Sequence, residues 1–251
     1  MFRDEDHPSF PNRPHDDETV WRYMDLFRYL SLLQSSSLHF ARADQMRDNW
    51  EGSYGQLNIV RRPEIYGDSY EERTELENER REWHLLSAYL NCWHLSDIES
   101  AAMWDIYQRE GRGVAVRSTW GRLKSSLTTE GWVRGGKVSY VDYQSVFIDE
   151  NNAFTPFMHK RESFRHEQEV RLLHLRGYNN EHFRSTGRGE ARDEPGPPVL
   201  ALDVDISVLI ESVYVAPDAP EWVHGVVSDV TAQYGHTYPV RQSDLARDPI
   251  L

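Results

Sequence analysis

Cysteine is almost missing from this chain. Cys92 is the only one in 251 residues, so no internal disulfide can form, and a reducing cytoplasm is the expected setting. Long apolar runs are missing too. None approaches the roughly 20 residues of a transmembrane helix, so no membrane partner is expected. The opening Met1-Phe-Arg-Asp-Glu-Asp6 is acidic and then proline-rich, unlike a signal peptide or an amphipathic presequence. Positive charge is scarce, with 28 Lys and Arg against 41 Asp and Glu and a formal net charge of -13. That balance argues against a protein that coats nucleic acid by displacing counter-ions, although a local basic patch stays open. Lysine occurs only at 124, 137 and 160. No glycine-rich phosphate loop is present, since Gly111-Arg-Gly113 is far too short a match. His159, His166 and His174 are too loosely spaced for a local metal motif, and no metal site is expected.

What remains suits a globular protein, with 39% hydrophobic and 27% charged residues. Residues 1–18 hold prolines and acids and are expected to form a flexible arm. Residues 19–251 are expected to form one domain, with a mobile loop near 177–198 where Gly, Asn, Arg and Pro accumulate. Thr19–Met24 predicts a strand, with Asp25 capping a helix that carries Leu26, Tyr29, Leu30 and Leu33 at helical spacing. Leu38–Ala41 predicts a second strand, and Tyr70 to about Leu90 a solvated helix dressed with Glu and Arg. A helix over Ile98–Arg109, a strand over Gly113–Thr119, a helix over Trp120–Leu127 and a helix over Phe154–Ser163 follow. Late strands at 199–203, 211–215 and 237–241 and a helix over 220–234 complete the pattern. Short strands and helices without a regular βαβ rhythm point to α+β: a central mixed or split β-sheet flanked by helices.

The densest chemistry lies in Phe164-Arg-His-Glu-Gln-Glu-Val-Arg-Leu-Leu-His174. Read as one strand, it puts Glu167, Glu169 and Arg171 on a single face. Two adjacent carboxylates repel, so at least one needs a shifted pKa or a dedicated partner. Such a pair suits chemistry at a glycosidic bond. It also suits an idle charged surface. Arg22 sits inside the apolar Val20-Trp-Arg-Tyr23 and needs an anion, either a carboxylate of the 44–52 loop or a ligand phosphate. Ser118 and Thr119 read first as a helix cap, and alternatively as a contact to ribose or phosphate. Trp104 and Tyr107 read mostly as core, with one aromatic free to stack on a planar ring. A Cys92–His94 nucleophile pair is conceivable, but Cys92 reads better as buried and inert.

Taken in order, Trp21-Arg-Tyr-Met24, Leu38-His-Phe40, Asp48-Asn-Trp-Glu-Gly52, Cys92-Trp93, Met103-Trp-Asp-Ile-Tyr107, Gly113-Val-Ala-Val116, Lys160, Phe164 and Glu167-Gln-Glu-Val-Arg171 resemble the bacterial domain of unknown function 2971 over roughly residues 19–216. That family name carries no activity. A second resemblance does. An Arg on a first strand, Ser-Thr on a middle strand and Glu-x-Glu-Val on a late strand are similar to the Arg-Ser-Glu group of ADP-ribosyltransferases. The resemblance implies NAD as substrate, Arg22 on its pyrophosphate, and Ser118 or Thr119 beside the nicotinamide ribose. It implies Glu169 as catalytic glutamate with Glu167 assisting. The usual Ser-Thr-Ser reads Arg117-Ser-Thr-Trp120 here. The expected function is ADP-ribosylation of a protein or nucleic acid, or NAD hydrolysis, in a toxin or anti-phage defence effector. The alternatives are a metal-dependent nuclease of a defence system built on Asp48, Glu51, Glu167, Glu169 and Lys160, and a non-catalytic sensor or interaction domain. A homo-oligomer or a regulatory partner is compatible with either.

Overall fold

A computed structural model describes residues 1–107, 113–177 and 195–247. Strand β1 (Thr19–Asp25) leads straight into helix α1 (Leu26–Ser35). Asp25 caps it, its carboxylate accepting from the Arg28 amide at 2.9 Å, as an extended Asp before an apolar helical stripe should. Strand β2 (Ser37–Arg42) follows, then α2 (Gln56–Tyr66), α3 (Tyr70–Ser87) and β3 (Ala88–Leu95). Next come α4 (Ala101–Tyr107), β4 (Gly113–Thr119), α5 (Trp120–Ser126), β5 (Arg134–Lys137) and β6 (Ser139–Val141). The late elements are β7 (His159–Arg161), β8 (Glu169–Leu175), β9 (Val199–Asp203), α6 (Ile206–Leu209), β10 (Ser212–Val215), α7 (Glu221–Gln233) and β11 (Val240–Gln242).

Nine of these strands form one mixed sheet, and β6 and β7 pair separately in parallel. In the large sheet β10 and β11 run parallel. The other pairings are antiparallel, including the full-length β1–β4 and β3–β8 ladders. Helices α1, α5, α6 and α7 help to cover one face, where Val20, Tyr29, Phe40, Trp93, Val116, Trp120 and Leu209 are buried. Trp21, Tyr23, Met103, Trp104 and Ala115 form a smaller apolar cluster. The fold is therefore α+β, with a central mixed sheet flanked by helices.

The sheet forks at β3. One edge of β3 pairs with β8 from Ala88 to His94. On the other edge, β1 takes only the C-terminal end (Val20↔Leu95, Trp21↔His94) and β2 only the N-terminal end (Ala41↔Leu90, Arg42↔Tyr89). Between those contacts β1 and β2 diverge. The backbone groups of Cys92, which face that edge, have no strand opposite them among the described residues, and a buried polar group must find another partner.

Two expectations change here. Residues 1–18 are not an unattached arm. Phe10 is 3% exposed, packed with Trp83, Leu90, Phe154 and Phe157. Phe2 bridges to Val133 and meets Trp120 edge-on at 5.6 Å. The acids of the segment have partners: Lys124 binds Asp4 and Asp16, and Lys137 binds Glu18. Proline and acid content read as disorder because these lysines lie more than 100 positions away. The second change is at 154–163, expected as one helix. Thr155–Met158 and Glu162–Glu167 are 3₁₀ turns on either side of β7. Of the loop expected near 177–198, residues 178–194 lie outside the described residues.

Candidate functional site

A cavity of about 310 Å³ opens in the fork, within the range of small-molecule sites. Its lining comes from β1 (Trp21 to Met24), β2 (Ser37 to His39), β3 (Leu90, Cys92 to His94), Tyr107 at the end of α4, and Glu167 and Glu169. Alternation puts Arg22 on the face opposite Trp21 and Tyr23. Only the gap between the strands lets both faces contribute to one cavity.

Arg22 spans the gap. Its guanidinium donates to the Cys92 carbonyl at 3.1 Å and to the His39 carbonyl at 3.5 Å, over the Trp93 ring at 5.8 Å. The Cys92 carbonyl is the group the fork leaves over; the His39 carbonyl also accepts from Asn91 Nδ2 at 2.9 Å. Among the described residues no carboxylate lies within ion-pair reach of Arg22, and burial pushes its pKa down. The loop acids considered as its partners are held elsewhere: Asp48 by Arg161 at 2.6 Å and Glu51 by Arg171 at 2.5 Å. Arg28 and His39 also line the cavity, and the positive charges of Arg22 and Arg28 add to burial in pushing the His39 pKa down. This end of the cavity is cationic: Arg28 pairs with Asp25 at 3.5 Å, whereas Arg22 has no carboxylate beside it among the described residues.

The acidic end is organised differently from one strand face. Glu167 closes the 3₁₀ turn, Gln168 adopts left-handed φ 37° and ψ 53°, and β8 begins only at Glu169. Lys160 on β7 bridges the two acids, contacting Glu167 Oε2 and, at 2.5 Å, Glu169 Oε1. Arg171, fully buried, donates from Nε to Glu169 Oε2 at 2.5 Å and grips both oxygens of Glu51 at 2.5 and 3.1 Å. Both oxygens of Glu169 are thus held by cations, while Glu167 has a cation on one oxygen only.

Three carboxyls share two cations in this cluster, so one proton is favoured. Burial pushes Glu51 up, against the two-pronged hold of Arg171. Burial and the neighbouring Glu169 push Glu167 up to about 7. Burial also works to raise Glu169, but Arg171, the hydrogen bond with Glu167, and Lys160 outweigh it and hold Glu169 well below the usual carboxylate range. With a single cation contact, Glu167 is the proton carrier of the cluster.

Other predicted residues fall outside. Ser118 is fully buried and donates to the Leu209 carbonyl at 2.5 Å. Thr119 caps α5 through the Arg122 amide. Both do the work of the simpler reading, and neither lines the cavity. Trp104 is 1% exposed and packs edge-on against Tyr23 at 5.0 Å, with its indole N–H on Glu99 at 3.0 Å. It belongs to the core, whereas Tyr107, 37% exposed, lines the cavity. Cys92 and His94 form no nucleophile pair: burial first, then Glu169, pushes the thiol pKa up, and His94 Nδ1 is bonded to the Glu167 carbonyl at 2.8 Å. The acids proposed for a nuclease are held by Lys160, Arg161 and Arg171. Among the described residues no group of three or more His, Cys, Asp or Glu is placed to hold a metal ion. Sequence reasoning missed Arg28, His39 and the bridging role of Lys160. Only Leu38-His-Phe40 carried a signal, as a polar residue between two apolar ones on a short strand.

No family model matches the chain, and no curated protein matches it. The resemblance to the domain of unknown function 2971 rests on the quoted motifs alone. Solved structures of Thermus sp. 2.9 DarT share a broadly similar arrangement. The complex with ADP-ribosylated ssDNA has a TM-score of 0.41 at 9% identity, covering 93% of this chain and 97% of that one. The complex with NAD+ has a TM-score of 0.41 at 8% identity, covering 94% and 100%. Among the described residues no helix is long and apolar enough to cross a membrane.

Proposed function

We propose that the protein is an enzyme that binds NAD in the fork and transfers its ADP-ribosyl group to a protein or nucleic acid, or to water. One observation supports this above the others: Arg22, without a carboxylate partner among the described residues, lines the same cavity as the Glu167–Glu169 pair. An arginine presents a planar fork of donors suited to a diphosphate, and Arg28 would add to that field. Tyr107 would stack on the nicotinamide ring.

In the reaction the nicotinamide–ribose C–N bond breaks and its electron pair leaves with nicotinamide, whose pyridinium becomes neutral. The ribosyl carbon is left with oxocarbenium character. Glu169, pinned and ionised, supplies fixed negative charge to that cation without reorganising. The acceptor oxygen or nitrogen forms the new bond, and its proton passes to Glu167 in its ionised form. This keeps the roles of the sequence expectation, Glu169 as catalytic glutamate and Glu167 assisting, and makes the assistance a proton transfer. Transfer to a macromolecule would suit a toxin or anti-phage effector.

Incubation with NAD labelled in its ADP-ribosyl part tests the proposal. Loss of NAD or transfer of label, abolished by Glu167→Gln, is the expected result. Neither loss nor transfer, with no change in cells on Glu167→Gln or Glu169→Gln, would leave the non-catalytic reading in its place.

A further inference from the structure

His94 lies at the centre of the fork. Its register partners are Trp21 on one side and Glu169 on the other, so on the pleat its side chain shares a face with both. The ring is 4% exposed, lines the cavity and sits 6.1 Å from Tyr23. Nδ1 faces the Glu167 carbonyl at 2.8 Å. A carbonyl oxygen only accepts, so Nδ1 must carry the proton. In a neutral imidazole Nε2 is then a bare acceptor. Burial favours that neutral form. Among the described residues nothing donates to Nε2. Of the neighbouring donors, the Trp21 indole N–H is spent on the Ser96 carbonyl at 2.9 Å; the Tyr23 hydroxyl accepts from the Ser100 amide at 2.8 Å and makes no hydrogen bond to the His94 ring.

We infer that His94 is a ligand-contacting residue, offering Nε2 as hydrogen-bond acceptor to a ribose hydroxyl or carboxamide N–H of the substrate. The inference rests on the reading of the cavity as a dinucleotide site. The Glu167 carbonyl fixes the tautomer, so the backbone that carries the proton-accepting acid also sets the lone pair aimed at the sugar. This couples substrate selection to the position of Glu167: a ligand lacking the donor leaves a buried acceptor unpaired, which is how polar sites reject analogues.

The test uses the whole protein with ¹⁵N-labelled histidine, NAD as the probe, and the variant His94→Asn. The Asn amide nitrogen can replace Nδ1–H on the Glu167 carbonyl while removing the Nε2 acceptor, so folding and ligand contact are separated. The expected result has four parts: a bare Nε2 in the free protein, an Nε2 resonance that moves on NAD addition, NAD binding about tenfold weaker in His94→Asn, and an unchanged melting temperature. A protonated Nε2, or NAD binding to wild type without moving it, or equal binding by His94→Asn, overturns the role of His94 and leaves the NAD site standing. Wild type that fails to bind NAD while Nε2 is bare overturns the dinucleotide reading, and the inference falls with it.

Discussion

Two arginines of this protein, Arg171 buried and Arg22 half-buried, have opposite meanings, and substitution separates them. Arg171 holds Glu169 and Glu51, so Arg171→Met leaves Glu51 buried without its cation and Glu169 with Lys160 alone. A loss of about 3–5 kcal/mol in denaturant unfolding is expected. Arg22 has only carbonyl partners among the described residues, and Arg22→Met should change stability by no more than about 1 kcal/mol. The acids separate in the same way, through pH. Folding favours the protonated form of Glu167, whose pKa rises from 4.5 to about 7. Its contribution to stability is whole below about 4.5 and fades as pH rises through about 7. Glu169 is held low, so its contribution is present above the unfolded value and is lost as pH falls. Melting temperatures followed from about pH 5 to about pH 8 should therefore decline less in Glu167→Gln than in wild type. Glu169→Gln should lower the melting temperature throughout that range. If Glu167 accepts the acceptor's proton, the rate of ADP-ribosyl transfer rises through about pH 7 in wild type, and Glu167→Gln removes both the rise and most of the rate.

At the scale of elements, the acidic site depends on one turn. Gln168 takes a left-handed conformation between the 3₁₀ turn and β8, a region that disfavours β-branched residues. Gln168→Gly should preserve stability, whereas Gln168→Val should lower it by about 1–3 kcal/mol and reduce activity by displacing Glu167. This turn was not legible in the sequence. Glu-x-Glu-x-Arg alternates like a strand, and the residue pattern cannot register that pairing starts only at Glu169. Elements whose signals are local were legible. Asp25 before α1, the apolar Gly113–Thr119 run and the charged α3 carry their structure in their own periodicity. Ser118 and Thr119 were legible in the same way, as a buried strand end and a helix cap. The resemblance that gave them a ligand overrode the simpler local reading. The fork itself is a non-local feature. It arises because β1 and β2 claim opposite ends of β3, and nothing within β3 announces it.

Across the whole molecule, two of the three lysines hold distant parts together and the third gathers the acids of the cavity. Lys124 and Lys137 fasten the acidic N-terminal segment, and Lys160 fastens the two acids of the cavity. The segment 1–18 is therefore part of the folded body, and Phe10→Ala should destabilise it by about 3–5 kcal/mol in equilibrium unfolding. An unattached arm would show almost no change. Net charge of -13 placed a limit on broad nucleic-acid binding but could not reveal one arginine left without an acid, because that depends on where every other carboxylate finds its partner. The central claim rests on that arginine. Calorimetric titration of NAD into the wild-type protein and into Arg22→Met tests it most directly. The account predicts saturable binding to wild type, weakened at least about tenfold in Arg22→Met as a charge-assisted contact is lost, with melting temperature unchanged. No binding to wild type, or equal binding to both proteins, would contradict it.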